Sequence, residues 1–262
     1  MTAYEAVWLG IIQGATEFLP VSSSGHLVIA ERLLGVRQPG VALEVALHLG
    51  TLLAVIVYFR QQLRYLARGV IGLIPDVPER RTARRLFLLL ILASVPAAVV
   101  GLLLKDRIEE AFASEVFAAS MLIVTGLLLL STVRARVSRA KIDPASAWWV
   151  GCAQAIAILP GISRSGSTMA VGMMRGISPT EAAEYSFLLS IPAVAGASIL
   201  TLPDAMSRSQ LGMSHLIGGL VAAVTGYAAL AFLFAILRRG RLWWFGWYCV
   251  GAGTATILVF RL

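Results

Sequence analysis

Six uninterrupted apolar stretches, at about residues 41–59, 86–104, 116–133, 181–202, 215–237 and 243–260, constrain this chain more than anything else in it. About 20 apolar residues at 1.5 Å rise per residue cover the roughly 30 Å hydrocarbon core of a bilayer. Hydrophobic residues fill 58% of the 262 positions and charged ones 14%, against about a quarter charged in an average soluble domain. A core surrounded by water could not take up so much apolar side chain, so lipid must be the solvent for much of it. The predicted class is an all-α integral membrane protein, a single polytopic domain over residues 1–262.

The formal charge of +8 does not point to nucleic acid. The basic residues sit in short runs between apolar segments, Arg60, Arg64 and Arg68, then Arg80, Arg81, Arg84 and Arg85. A polytopic protein marks its cytoplasmic loops this way. Cys152 and Cys249 lie in apolar sequence without metal-binding spacing and read as small buried hydrophobes. The first segment carries Gln13, Glu17 and a serine run, with no Lys or Arg before Arg32, which is not the build of a removable signal peptide.

Two further apolar regions are interrupted. Residues 3–34 are broken by Pro20 and Ser22-Ser23-Ser24-Gly25-His26, and residues 147–175 by Pro160-Gly161 and Ser163-Arg164-Ser165-Gly166. Each half is short for a span, and polar non-helical backbone at membrane depth is tolerated only where protein or a water-filled cavity receives it. Both regions are therefore predicted to be re-entrant helix-loop-helix hairpins. A shift of 141 positions aligns Trp8 with Trp149, Gly10 with Gly151, Gln13 with Gln154, Ser22–Gly25 with Ser163–Gly166, and Gly35 with Gly176. Matches at glycine, serine and glutamine within apolar sequence indicate an internal repeat, about 1–135 and about 143–262.

Charge then orients the halves. Arginine-rich 60–85, 134–141 and 238–241 go to the cytoplasm, whereas 105–115 and 203–214 go outside. The span at 41–59 then runs inward and its counterpart near 182–200 outward, so the repeat is inverted: six transmembrane helices plus two hairpins. Such repeats place their site near the midplane, where the halves meet. That brings residues 13–26 and 163–168 together.

In the first tip Gln13 and Glu17 share a helical face, and an ionisable group within the membrane usually faces a functional cavity. Gln13 could equally glue helices together, and at least one of Ser22, Ser23 and Ser24 is turn or cap material. In the second tip the glycines let backbone N–H groups converge on an anion, and a helix starting near Ser167 would add its positive end. Arg164 supplies a planar fork suited to phosphate oxygens. It needs an anionic partner, either a ligand or Glu17 of the other tip. Phosphoanhydride hydrolysis needs charge neutralisation, an oriented nucleophile and a proton route, and these residues offer all three. A divalent ion held by Glu17 and the diphosphate would strengthen the first. His26 suits proton transfer or direct attack, and Ser23 is the candidate if a hydroxyl attacks. Residue types alone do not choose between them.

The elements Gln13-xxx-Glu17, Pro20-Val21-Ser22-Ser23-Ser24-Gly25-His26 and Pro160-Gly161-Ile162-Ser163-Arg164-Ser165-Gly166-Ser167-Thr168, with Phe187-Leu188-Leu189-Ser190-Ile191-Pro192 beyond them, resemble the signatures of the bacterial undecaprenyl-diphosphatases, or bacitracin resistance proteins, over nearly the whole chain. The resemblance implies hydrolysis of undecaprenyl diphosphate to the monophosphate and phosphate, recycling the carrier for cell-wall synthesis. It also implies residence in the bacterial inner membrane, a site open to the periplasmic side and dependence on Mg2+ or Ca2+. The catalytic candidates are Glu17, His26, Arg164 and Ser23, with Glu17 also the metal ligand. The substrate-binding candidates are Gln13, Ser22, Ser24, Ser163, Ser165, Gly166 and Thr168. Two positions depart from the family pattern. Gln13 stands where glutamate is common, which weakens a metal-ligating role, and His48 stands where glutamine is expected. Glu44, four residues before His48, would face the same cavity if His48 does.

A carrier or flippase for an anionic lipid is the main rival, because inverted repeats with broken helices are the usual build of secondary transporters. An acid-phosphatase-type lipid phosphatase ranks lower, since the chain has only His26, His48 and His215. Trp243, Trp244 and Trp247 are predicted to mark a membrane interface. Oligomeric state stays open, a homodimer being one option.

Overall fold

The computed structural model describes residues 2–36, 40–104, 111, 114–135, 138, 141–208 and 212–261, with side chains at all of these except 32, 33, 40, 41, 202–208, 260 and 261. The described residues form helices and connecting turns, without strands. In chain order these are α1 (Ala3–Phe18), α2 (Ser23–Leu33), α3 (Gly40–Tyr58), α4 (Arg60–Val70), α5 (Val77–Leu103), α6 (Glu115–Ser131), α7 (Pro144–Ile156), α8 (Arg164–Met174), α9 (Pro179–Arg208), α10 (Met213–Arg238) and α11 (Trp244–Arg261).

Four helical stretches are long and apolar enough to cross a membrane, Val77–Leu103, Glu115–Arg134, Pro179–Thr201 and Met213–Arg238. A fifth arises if α3 and α4, bent by 76° at their junction, count as one, and Trp244–Val259 is apolar but shorter. These helices coincide in order with the six apolar stretches of the sequence. The side-chain distribution shows the solvent. Leu103 and Val224 are 76% and 72% exposed, while Gln13 is fully buried. An exposed apolar surface around a polar interior is what lipid selects.

The arginine-rich 60–85 segment is not the loop predicted from charge. It holds α4 and the first turns of α5, whose Pro78 stands in the opening turn. Arg60, Arg64 and Arg68 recur every fourth residue on one face of α4, while Leu66 and Gly69 are buried on the other. A helix basic on one face and apolar on the other has the pattern of one that lies along a membrane interface. The Arg84 guanidinium closes its far end, with Nε 3.0 Å from the Gly69 carbonyl and Nη2 3.3 Å from that of Val70. Of the loops used to orient the chain, residues 105–110, 112, 113, 136, 137, 139, 140 and 209–211 lie outside the described residues. At the start of α11, Trp244 and Trp247 are exposed. The Arg241 guanidinium lies 4.5 Å above the Trp244 ring.

Each hairpin packs against a long helix of the opposite half, α1 on α10 and α7 on α5. The last helices of the two halves, α6 and α11, pair with each other, and α3 lies against α9 and α10. Glycine lines these seams. A Cβ on Gly10 would stand 2.5 Å from the Gly218 carbonyl oxygen, and one on Gly126 2.7 Å from that of Gly246. Membrane helices gain their packing from such backbone-close contacts, because lipid tails are as apolar as leucine. Phe18, Phe59, Phe187 and Phe234 close the floor beneath the site, with ring centroids 5.7–6.2 Å apart.

Candidate active site

Both broken regions come out as two helices joined by a polar turn. In the first, α1 stops at Phe18 because Leu19 turns extended (φ −64°, ψ 141°) ahead of Pro20. Ser22 then adopts φ +66°, a left-handed conformation rare for a residue with a side chain. The chain re-enters helix at Ser23. In the second, Gly161 has φ +87°, and a Cβ there would run into the backbone of Ala118 on α6. Only glycine serves at such a position. Thr125 pins this turn from α6: its hydroxyl donates to the Gly161 carbonyl at 3.1 Å and accepts the Ser163 amide at 3.0 Å.

The two tips touch. A terminal nitrogen of Arg164 lies 2.5 Å from Glu17 Oε1, across 147 positions of sequence. The other carboxylate oxygen accepts from Ser23 Oγ at 2.6 Å and from Gln13 Nε2 at 3.1 Å. Gln13 and Glu17 therefore do share a face of α1. His48 reaches in from α3, its Nδ1 3.1 Å from Gln13 Nε2 and 3.9 Å from Glu17 Oε2. Glu44, one turn earlier, is exposed and is not among the groups that touch Glu17.

Ser22, Ser24 and His26 line an open cavity of about 70 Å³ beside this cluster, walled by Leu122, Ala252 and the Pro160-Gly161 turn. Ser22 and Ser24 hydroxyls lie 3.3 Å apart. His26 Nδ1 is 2.9 Å from the Ser22 carbonyl oxygen, and its Nε2 is 2.6 Å from the Tyr248 hydroxyl on α11. The Cys249 thiol, next along α11, lies 3.4 Å from the Pro20 carbonyl oxygen.

The second tip is more tightly tied down. Its helix begins at Arg164, not near Ser167, because the Ser163 hydroxyl accepts the Gly166 amide at 3.1 Å and caps it. Ser163 Oγ lies 3.2 Å from Ser165 Oγ, which in turn stands 3.4 Å from the Leu19 carbonyl oxygen of the first tip. A Cβ at Gly166 would come 3.1 Å from Pro20 Cβ, so this glycine lets the tips approach. Thr168 points the other way: its hydroxyl donates to the Arg164 carbonyl at 2.8 Å and meets Ser186 Oγ of α9 at 2.5 Å. Among the described residues, Arg164 Nη1, Ser167 Oγ and Gln13 Oε1 are buried without partners. Buried polar atoms left so are uncommon and call for a guest.

For a divalent ion, no group of three acidic, histidine or cysteine side chains converges among the described residues. The donors present are one Glu17 carboxylate and the orphaned Gln13 Oε1. That set fits an ion completed by phosphate oxygens and water, which is how Mg2+ is commonly held.

An all-helical membrane protein with an arginine, a carboxylate and an imidazole at apposed broken helices is built as a handler of anionic lipid head groups. The family model for bacitracin resistance protein BacA matches residues 6–255. The undecaprenyl-diphosphatase of Desulfatibacillum aliphaticivorans is 44% identical over 270 residues, covering 97% of each chain. That of Desulfosudis oleivorans is 42% identical over 272 residues, 99% of each, and that of Korarchaeum cryptofilum 41% over 261, covering 98% of this chain and 99% of that one. The chain belongs to the bacitracin resistance protein BacA family.

Sequence reasoning missed Thr125, Ser186 and Tyr248, and read Cys249 only as the small buried residue that it is. Nothing in their local sequence ties them to the two tips.

Proposed function

We propose that this protein hydrolyses undecaprenyl diphosphate to undecaprenyl phosphate and inorganic phosphate, recycling the lipid carrier for cell-wall synthesis and so conferring bacitracin resistance. The name shared by its relatives supports the substrate. The observation that carries the chemistry is the Glu17–Arg164 contact, which puts a phosphate-binding cation and a base side by side where the two tips meet.

Arg164 has a second guanidinium nitrogen buried and unpartnered, a donor available to a phosphate oxygen. Ser23 already donates to Glu17 at 2.6 Å, the arrangement in which a carboxylate takes the proton of an attacking hydroxyl. In this reading the Ser23 oxygen attacks the terminal phosphorus, its proton passes to Glu17, and the bridging oxygen leaves with undecaprenyl monophosphate. Water then cleaves the phosphoserine and restores the hydroxyl. Glu17 would be the charged ligand of a divalent ion, which would supply further charge neutralisation on the diphosphate. Gln13 and His48 keep the carboxylate in place.

The two halves form an inverted repeat in this reading, supported by the exchange of partners that sets α1 on α10 and α7 on α5. The protein resides in the bacterial inner membrane with the pocket facing outward, and the lipid tail lies between helices. The test is phosphate release from a polyprenyl diphosphate by purified protein in detergent, with acid quench to trap phosphoserine. Release by the parent and its loss in Arg164→Ala and Glu17→Ala are the expected results. A carrier would release none, having no two sides to work between, and normal release by Arg164→Ala would remove the anion clamp.

A further inference from the structure

We infer that Tyr248 is a positioning residue that orients His26 and covers the ring nitrogen left free once the Ser22 carbonyl has fixed the tautomer; this rests on the phosphatase reading above. The argument starts from the partner on each side of the ring. His26 Nδ1 lies 2.9 Å from the Ser22 carbonyl oxygen. A carbonyl only accepts, so Nδ1 carries the proton. In the neutral imidazole Nε2 is then a lone-pair acceptor, and the Tyr248 hydroxyl at 2.6 Å must donate to it.

Three independent features hold this arrangement. Ser22 keeps φ +66°, a costly conformation for serine, and thereby aims its carbonyl at the ring. The two rings lie nearly parallel, 15° apart with centroids at 5.7 Å. Cys249 seats the same stretch of α11 against the Pro20 carbonyl. The Nε2 partner comes from a helix 222 positions away, so the ring is held between the first tip and α11.

The consequence is specific. Nε2 cannot attack phosphorus or take a proton while the phenol occupies its lone pair. A proton reaches His26 by way of the Tyr248 oxygen: the incoming proton bonds to that oxygen as the hydroxyl's own proton passes to Nε2, and the return step reverses both bonds. Tyr248 thus assigns His26 to proton exchange and away from nucleophilic attack.

The experiment uses full-length protein labelled with 15N in its three histidines, the His26 signals being assigned by their loss in His26→Ala. In the parent, His26 shows protonated Nδ1 and unprotonated Nε2; the opposite tautomer overturns the proposal without any variant being needed. Tyr248→Phe keeps Nδ1 protonated but moves the Nε2 resonance as its hydrogen bond is lost, and lowers kcat about tenfold or more, with KM changed less than about twofold. On a His26→Ala background the same change has no further effect, whereas an undiminished multiplicative loss overturns the coupling. Cys249→Ala, which touches the same turn, leaves the Nε2 resonance unchanged; a shift there as large as that of Tyr248→Phe overturns the assignment to the hydroxyl. A parent that shows the Nδ1–H signature yet releases no phosphate sinks the phosphatase reading and not the Tyr248–His26 contact.

Discussion

The two hairpin tips are alike in sequence and unlike in how their polar groups are used. In the second tip, Ser163 caps a helix, Gly161 is locked by Thr125, and Thr168 is spent on Ser186 and backbone. Its one unspent charge donor is Arg164. In the first tip, Ser24 and His26 face an open cavity, Ser22 is strained and Ser23 hangs on a carboxylate. A shared serine-glycine motif has thus been divided into a turn whose hydroxyls are committed and one whose hydroxyls face a cavity or a carboxylate, which the proposed function reads as anion cradle and chemical turn. The difference teaches that a hydroxyl's role follows from whether its hydrogen bonds are already committed.

That division can be broken by experiment. Glu17→Gln should cause the largest loss, about 10²–10⁴ in kcat, as expected for removing a general base, measured as phosphate release in detergent. Arg164→Ala should cost about 10²–10³ in kcat, the scale of one transition-state donor. Each of these also breaks a buried ion pair worth roughly 3–5 kcal/mol to leave half-made, so thermal unfolding in detergent should register both. Ser163→Ala should behave quite differently: about 1 kcal/mol of stability for a lost helix cap, with kcat within about threefold of the parent. A loss in kcat as large as that of Ser23→Ala would place both tips in the chemistry and dissolve the contrast.

The smallest effect concerns how the hairpins begin. Thr2 and Glu5 cap α1 reciprocally, whereas α7 depends on Asp143, whose carboxylate accepts the Ser146 amide at 2.7 Å. Hydrogen bonding from Ser146, its side chain first and then its amide, holds the Asp143 carboxyl below its usual range. A group with a lowered folded value stabilises at pH above its unfolded value, and that contribution disappears as pH falls through the folded one. Asp143→Ala should therefore cost about 1 kcal/mol near neutral pH and progressively less in acid, read as a melting shift that closes as pH drops.

The span pattern and both breaks were legible because Pro, Gly and Ser stand out sharply from apolar sequence. Gln13, Glu17 and Arg164 were legible for the same reason, being costly where they lie. The interfacial helix α4 was hidden because Arg60, Arg64 and Arg68 satisfied the charge rule for a loop, although their spacing of four is also helical. The early start of α8 was hidden by reading Ser163 as a ligand donor when a serine before a helix is equally a cap. Tyr248 could not be found at all: its meaning exists only through His26, which no local pattern connects to it.

The clasp of α11 on the first tip carries a consequence for biogenesis. Tyr248 and Cys249 reach back 222 and 229 positions to His26 and Pro20. While the ribosome is still making the intervening spans, that turn sits in the bilayer with its imidazole unguarded and its carboxylate without Arg164. The first tip therefore gains its full set of contacts only when α11, the last helix to be made, has packed against it.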